Sequence, residues 1–292
     1  MPDGVEKHQS EKGGKKSLLR RLILPELNRG RVYGRLDKRA VSLRAGGRYG
    51  EKPPAVADGR PMMPEECLIC KAPLEYLAAD TLMECAVCGR RENSKTRCLS
   101  GHYVCNECHM SGLDAITGLC AAETSRDPAA VLQRMMDQPF CHMHGPEHHV
   151  MVGAALLTAY RNAGGGIDLP AALAEMVRRG KSVPGGACGF WGACGAGLST
   201  GMFVSIISGS TPLAEEPFAL SHRMTARALG KIGEIGGPRC CKRDSFLAVL
   251  EAVDFVEEHF GVKMERSEIV CGYAAGNRQC VGKRCPFSRA NR

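Results

Sequence analysis

Apolar residues recur at helical spacing through the second half of the chain. Positions 246–256 carry them three or four residues apart, which predicts a helix that Asp244 or Ser245 caps and Gly261 ends. Residues 150–160 are apolar at nearly every position, which predicts a helix buried on most of its faces. Further helices are predicted at 113–120, 128–137, 171–179, 198–208 and 221–232.

Residues 64–110 follow a different pattern, in which short alternating segments separate closely spaced cysteines. Residues 81–87 alternate well enough for a strand, and 102–104 predict a second, shorter strand. We therefore predict an α+β protein, with a small two-zinc ribbon or treble-clef module at 64–110. A mainly α-helical, cysteine-rich domain follows it at 111–288.

The module contains four pairs of candidate metal ligands, three of the form C-x2-C and one of the form C-x3-H. A C-x2-C knuckle lets two thiolates point at one tetrahedral cation while backbone N–H groups donate to the sulfurs. Eight ligands suffice for two closed structural sites, and we predict that both hold Zn²⁺. The predicted ligands are Cys67, Cys70, Cys85, Cys88, Cys98, His102, Cys105 and Cys108.

Spacing leaves the grouping of these pairs open. Consecutive knuckles, with 14 residues between Cys70 and Cys85, match a zinc ribbon, but the last two pairs would then wrap one ion within eleven residues. Interleaving the first pair with the third and the second with the fourth, as in RING-like modules, is less strained and is favoured. Further donors are available at Cys120, Cys141, His142 and His144.

Composition points to a cytoplasmic metalloprotein. The chain has 16 cysteines, and a reducing compartment favours metal ligation or redox chemistry over a disulfide framework. No secretory leader and no apolar run of about 18 residues stands in the sequence, so we expect a soluble protein without a membrane partner.

The net charge of +8 comes wholly from the start of the chain, where residues 1–52 hold 14 Lys and Arg against 6 Asp and Glu. Residues 1–61 read as a disordered basic tail, which weakly supports nucleic-acid binding. Met62 and Met63 stand directly before the first knuckle, where a natural start would fall. We therefore expect the tail to be dispensable for folding.

A histidine-rich segment at 140–149 supplies candidate catalytic residues, namely His144, Glu147 and His148. Pro146 suits the first position of a helix, which places His144 before the helix and the other two in its first turn. A mononuclear metal site using His144 with His148, or an anion site at the helix start, would follow. Purely structural hydrogen bonding is the alternative.

Residues 185–197 contain six glycines and two further candidates, Cys188 and Cys194. Such a run requires close backbone approach or positive φ, as in a loop around a ligand. The run matches neither a dinucleotide-binding nor a phosphate-binding loop, so nucleotide binding is unsupported.

The remaining cysteines predict a second kind of centre. Cys240 and Cys241 stand in a basic setting that should lower a thiol pKa, which makes them redox candidates. Cys271, Cys280 and Cys285, the last followed by proline, are typical of iron–sulfur ligation, with Cys188, Cys194, Cys240 or Cys241 as the fourth ligand. Dithiol redox chemistry and inert thiols are the alternatives.

Several of these motifs together resemble an uncharacterised domain family of anaerobic microbes, found alone or fused to class I SAM-dependent methyltransferases. The resemblance covers 64–288 and rests on the C-x2-C knuckles, the His144–His149 segment, Gly189-x2-Gly192-x-Cys194 and Cys280-x4-Cys285-Pro. It implies at most a supporting role beside a methyltransferase partner. The C-Gly-Ala pattern at 194–196 also resembles small helical proteins with a C-GCA-x2-G motif, for which redox activity is expected.

Together these features predict a protein with two structural zinc ions and a glycine-lined, cysteine-rich pocket for redox chemistry or an iron–sulfur cluster. A non-catalytic zinc-finger module that binds nucleic acid or protein is one alternative. An accessory subunit of a methyltransferase system is another. Enzymatic activity is left open.

Overall fold

The structure, a computed structural model, describes residues 67–70, 72–110 and 112–292, which all belong to one compact unit. The basic tail predicted at 1–61, and any nucleic-acid contact it would make, lie outside these residues. Within the described ranges, no helix is long and apolar enough to cross a membrane.

An antiparallel hairpin opens the described part of the chain. Strand β1 is Leu74–Glu84 and strand β2 is Arg91–Cys98, and the pairing runs from Leu74 opposite Cys98 to Glu84 opposite Arg91. The strand predicted at 81–87 is the end of β1. A single parallel bridge between Cys85 and Tyr103 takes the place of the strand predicted at 102–104.

Helices make up most of the chain after the hairpin. They are α1 (Asn106–His109), α2 (Leu113–Ala122), α3 (Pro128–Met136), α4 (His148–Asn162), α5 (Leu169–Lys181), α6 (Ala187–Phe190), α7 (Gly195–Ile207), α8 (Glu216–Ile235) and α9 (Cys241–Phe260), followed by short 3₁₀ turns at Ala274–Gly276, Gly282–Arg284 and Arg289–Asn291. A small two-stranded sheet with clustered cysteines, followed by a helical region, confirms the α+β prediction.

Helix α4 is the centre of the core, as its apolar sequence predicts. It packs against α2, α3, α5, α7 and α9, and its residues from Val150 to Tyr160 are all buried. Because α4 has no solvent-facing side, its polar groups gather at its ends. Its N-terminal end, at Glu147 and His148, lies at the site described below.

Helix caps agree with the sequence at one helix and differ at another. The Asp127 side chain accepts the N–H of Ala129 at 2.8 Å and caps α3, directly before the predicted start of this helix at residue 128. Helix α9 begins at Cys241, so the prediction that Asp244 or Ser245 caps it is wrong by about one turn. The reason is that Asp244 is already buried inside the first turn, where it pairs with Arg243 at 2.8 Å.

Helices α7 and α8 approach closely because α7 carries glycines on the facing side. A Cβ at Gly201 would lie 1.8 Å from Thr225 Oγ1 and 3.0 Å from the Ser221 carbonyl, and a Cβ at Gly197 would lie 2.7 Å from Leu229. Any side chain at these two positions would push the helices apart.

We expect Gly201→Ala to destabilise the protein by about 1–3 kcal/mol, because its methyl group overpacks the α7–α8 contact. Gly230→Ala on α8 is the matched control: its Cβ meets no described atom within 4 Å. It should raise stability by about 0.5–1 kcal/mol through higher helix propensity. Thermal unfolding midpoints compare the two variants, and a Gly201→Ala protein as stable as wild type would contradict the packing argument.

Candidate metal centres and the cavity beside them

The eight predicted zinc ligands form two groups of four. In one group lie Cys67, Cys70, Cys98 and His102, and in the other lie Cys85, Cys88, Cys105 and Cys108. Within each group the ligand atoms all lie within 4.8 Å of one another. The first pair thus joins the third and the second joins the fourth, which is the interleaved arrangement.

Distances within the groups fit a tetrahedral ion. The sulfurs of Cys70 and Cys98 lie 3.8 Å apart, and those of Cys88 and Cys105 lie 3.7 Å apart. A tetrahedron with Zn–S bonds of about 2.3 Å has edges of about 3.8 Å. Both groups could therefore hold a metal ion such as zinc without rearrangement.

Backbone N–H groups already face several of these sulfurs. The N–H of Ile69 donates to Cys67 at 3.4 Å, that of His102 to Cys98 at 3.2 Å, and that of Cys105 to Cys85 at 3.3 Å. Such bonds stabilise thiolate over thiol. The clearest effect is at Cys70, where hydrogen bonding, first from the Ala72 N–H, lowers the thiol pKa to about 6.

The interleaved grouping makes a spectroscopic prediction for protein loaded with Co²⁺. Cys105→Ser should remove the all-thiolate spectrum and leave the spectrum of the site with three thiolates and His102. A consecutive grouping would give the reverse. Cys98→Ser is the control, because it disrupts the His102 site under either grouping.

A cavity of about 650 Å³ lies where the cysteine-rich module meets the helical region. Asn106 and His109 of the module, Gly185 and Trp191 of the glycine-rich segment, and residues 276–279 all contribute to its wall. Besides the zinc-type ligands Cys67 and His102, it takes in five candidate residues of the helical region: His144, His148, Cys188, Cys194 and Cys241.

The glycine-rich segment has the backbone features predicted for it. Gly186, with φ +84°, stands immediately before α6, and a Cβ at Gly195 would lie 2.0 Å from the ring of His149. Positive φ and close approach therefore both occur, and they let this segment form one wall of the cavity.

A second, small cavity of about 20 Å³ is lined by the other predicted thiols, namely Cys240, Cys271, Cys280 and Cys285. The cysteines are thus divided between two cavities instead of converging in one. Of the further zinc donors considered from the sequence, Cys120 is fully buried in the apolar core.

Three of the four thiols around the small cavity accept a backbone N–H two or three residues further along the chain. The donors are Tyr273 to Cys271 at 3.4 Å, Gly282 to Cys280 at 3.4 Å, and Arg243 to Cys240 at 3.5 Å. The Asn277 side chain adds a bond to Cys240 at 3.3 Å. The same feature surrounds the zinc-type sulfurs of the module.

The predicted lowering of the thiol pKa at Cys240 and Cys241 is wrong. Burial raises the pKa of Cys240 to about 11 and that of Cys241 well above its usual value. Burial likewise raises the pKa of Cys194 to about 12. The basic neighbours lower the thiol pKa, as expected. The free-energy cost of removing the thiolate from water is larger than the electrostatic stabilisation that these neighbours provide.

The histidine-rich segment is organised around Glu147, whose side chain is 1% exposed. Gly145 leaves room for it, since a Cβ there would lie 2.1 Å from Glu147 Oε2. Burial alone would raise the pKa of this carboxyl, but contacts with His109 and His142 hold it well below its usual value. A buried anion thus stands directly before α4.

Two overlapping sets of ligand atoms meet at this carboxylate, each within 4.8 Å: His109, His142 and Glu147, and Cys141, Glu147 and His148. Burial lowers the pKa of His148 to about 3, so its ring is neutral, and its Nδ1 lies 3.0 Å from the Gly145 carbonyl. Sequence reasoning named Glu147 and His148 as site candidates and His142 as a spare zinc donor, but it missed His109. No local spacing marks that residue, because 33 positions separate it from His142.

Comparison with known proteins identifies the helical part of the chain. Residues 116–288 match the model of a family of unknown function, DUF5714, over more than half of the chain. No curated protein and no solved structure matches the sequence. The match begins inside α2, so it leaves out the cysteine-rich module. The resemblance described from the sequence motifs, in contrast, begins at residue 64. The chain belongs to the DUF5714 family.

Proposed function

We propose that this protein is a metalloprotein in which two structural zinc ions build the cysteine-rich module and four thiolates of the helical region bind an iron–sulfur cluster. The ligands of the cluster would be Cys240, Cys271, Cys280 and Cys285. The observation that carries the proposal is that these four thiols line one cavity and three of them accept a backbone N–H.

Metal ligation suits these thiols better than free dithiol chemistry. A redox-active thiol needs a lowered pKa and access to solvent. Burial instead raises the pKa of Cys240 to about 11 and also raises that of Cys285. A metal removes the proton outright, so a raised pKa does not prevent ligation.

A cluster suits the spread of these sulfurs better than a single ion. In the described part of the chain, the four do not form one of the sets whose ligand atoms lie within 4.8 Å of one another. The thiolates of an iron–sulfur cluster bind separate irons and stand further apart, and hydrogen bonds to sulfur tune its potential. Because the cavity holds only about 20 Å³, the 3₁₀ turn Gly282–Arg284, which lies between Cys280 and Cys285, would move outward to admit it.

The zinc ions of the module would be structural. Each group offers four protein ligands, so a bound ion would keep no open position for chemistry. Redox function would therefore belong to the helical region.

Metal analysis of the full chain purified without oxygen tests the proposal. We expect zinc together with iron and acid-labile sulfide, and a broad visible absorption from thiolate-bound iron. Cys271→Ser should lose most of the iron and sulfide but keep the zinc, because one of four cluster ligands is gone.

Cys120→Ala is the matched control, since Cys120 is a buried thiol that lines neither cavity. It should keep iron, sulfide and zinc. Wild-type protein without iron or sulfide, even after reconstitution with ferrous iron and sulfide, would refute the cluster.

Partners and compartment stay predictions. A methyltransferase partner is inferred from the sequence resemblance alone, and nucleic-acid binding depends on residues 1–61. Cytoplasmic location likewise follows only from cysteine usage.

A further inference from the structure

Three side chains from separate segments meet at the boundary between the module and the helical region. His109 ends α1, one residue after the zinc-type ligand Cys108. His142 lies in the loop between α3 and α4, and Glu147 stands immediately before α4. The ring centroids of the two histidines are 4.8 Å apart.

Their spacing is that of ligands around one ion. His109 Nδ1 lies 3.3 Å from Glu147 Oε2, and His142 Nδ1 lies 3.4 Å from Glu147 Oε1. A tetrahedral zinc with bonds of about 2.0–2.1 Å to nitrogen and oxygen has edges of about 3.3–3.4 Å. The two nitrogens face different oxygens of one carboxylate, so each distance matches such an edge separately, and ligand atoms of all three residues lie within 4.8 Å of one another.

The histidine nitrogens and the carboxylate oxygens that face them do not form hydrogen bonds with one another. Nδ1 of His109, Nδ1 of His142 and Oε2 of Glu147 are buried and lack a hydrogen bond of acceptable geometry. A buried carboxylate needs a cation or several aligned donors. Glu147 Oε1 has one such donor, the His142 backbone N–H at 2.9 Å, but Oε2 has none.

We propose that His109, His142 and Glu147 bind a third divalent ion of the zinc type, with a coordination position open to the 650 Å³ cavity. Two histidines and a glutamate are a donor set of catalytic zinc sites, in which the fourth position holds water or substrate. His109 and His142 both line the cavity, so that position faces its interior. A small polar molecule entering the cavity would be the ligand.

The overlapping set of Cys141, Glu147 and His148 is the weaker candidate. Lys242 Nζ lies 2.8 Å from Cys141 Sγ, so a cation already occupies the neighbourhood of that sulfur. Of the three residues in this set only His148 lines the cavity, whereas His109 and His142 both do. The set that contains His109 and His142 has neither drawback.

Zinc content of the full chain tests this site. All proteins in this experiment carry Cys271→Ser, so that metal in the four-thiol cavity does not add to the measured zinc content. The result therefore does not depend on whether the proposed cluster exists. After loading with Zn²⁺ and desalting, the reference protein should hold about three zinc ions per chain. His142→Ala should hold one fewer, because a third of the ligand set is removed.

Two neighbouring substitutions serve as controls, both expected to keep three ions. His144→Ala removes a histidine that lines the same cavity without belonging to the set, and Cys141→Ser alters only the overlapping set. Equal zinc in the reference and His142→Ala proteins would overturn the proposal. Loss of the third ion from Cys141→Ser, but not from His142→Ala, would assign the ion to the other set.

A titration with Co²⁺ covers the case in which His142→Ala fails to fold. The first two equivalents should give intense thiolate-to-cobalt absorption, as their ligands are mainly sulfur. The third equivalent should add only weak ligand-field bands without thiolate charge transfer. Saturation at two equivalents would overturn the proposal without any variant.

Discussion

The burial of helix α4 on every side is the constraint on which the rest of the molecule depends. A helix that is apolar all round must be enclosed, and five other helices enclose it. Its polar chemistry is thereby confined to its ends. At the N-terminal end stands Glu147, a carboxylate that is 1% exposed, so its charge must be met by groups from elsewhere in the chain. His109 and His142 approach it from two directions, and this links the cysteine-rich module to the helical region.

Features encoded by short spacing were predictable from the sequence. The central helix follows from its continuous apolar run, and Gly261, with φ +65°, ends α9 where a left-handed residue is needed. The interleaved grouping of the zinc-type ligands was favoured because wrapping one ion within eleven residues would strain the chain. In each of these cases the physical cause acts over a few residues, so the sequence displays it directly.

Features set by distant packing were not predictable. The basic residues around Cys240 and Cys241 are visible in the sequence, but the burial that reverses the direction of the pKa shift is not. The division of the cysteines between two cavities depends on where the segment after α9 packs against the helices. The pattern of apolar residues in the sequence does not show this position. In the sequence, His109 is simply the residue after the last C-x2-C pair. Only the folding of the whole chain brings it to Glu147.

The covalent neighbourhood of His109 has a consequence for how the protein matures in a cell. His109 directly follows Cys108, and its N–H bonds to the carbonyl of Cys105 at 2.9 Å, so an ion bound by Cys105 and Cys108 would also fix the position of the histidine. Metal would then be acquired in order, with the four-thiolate site filled before the proposed histidine and carboxylate set. Under zinc scarcity the set with three protein ligands would empty first, and the cavity would lose its ion while the module kept its fold.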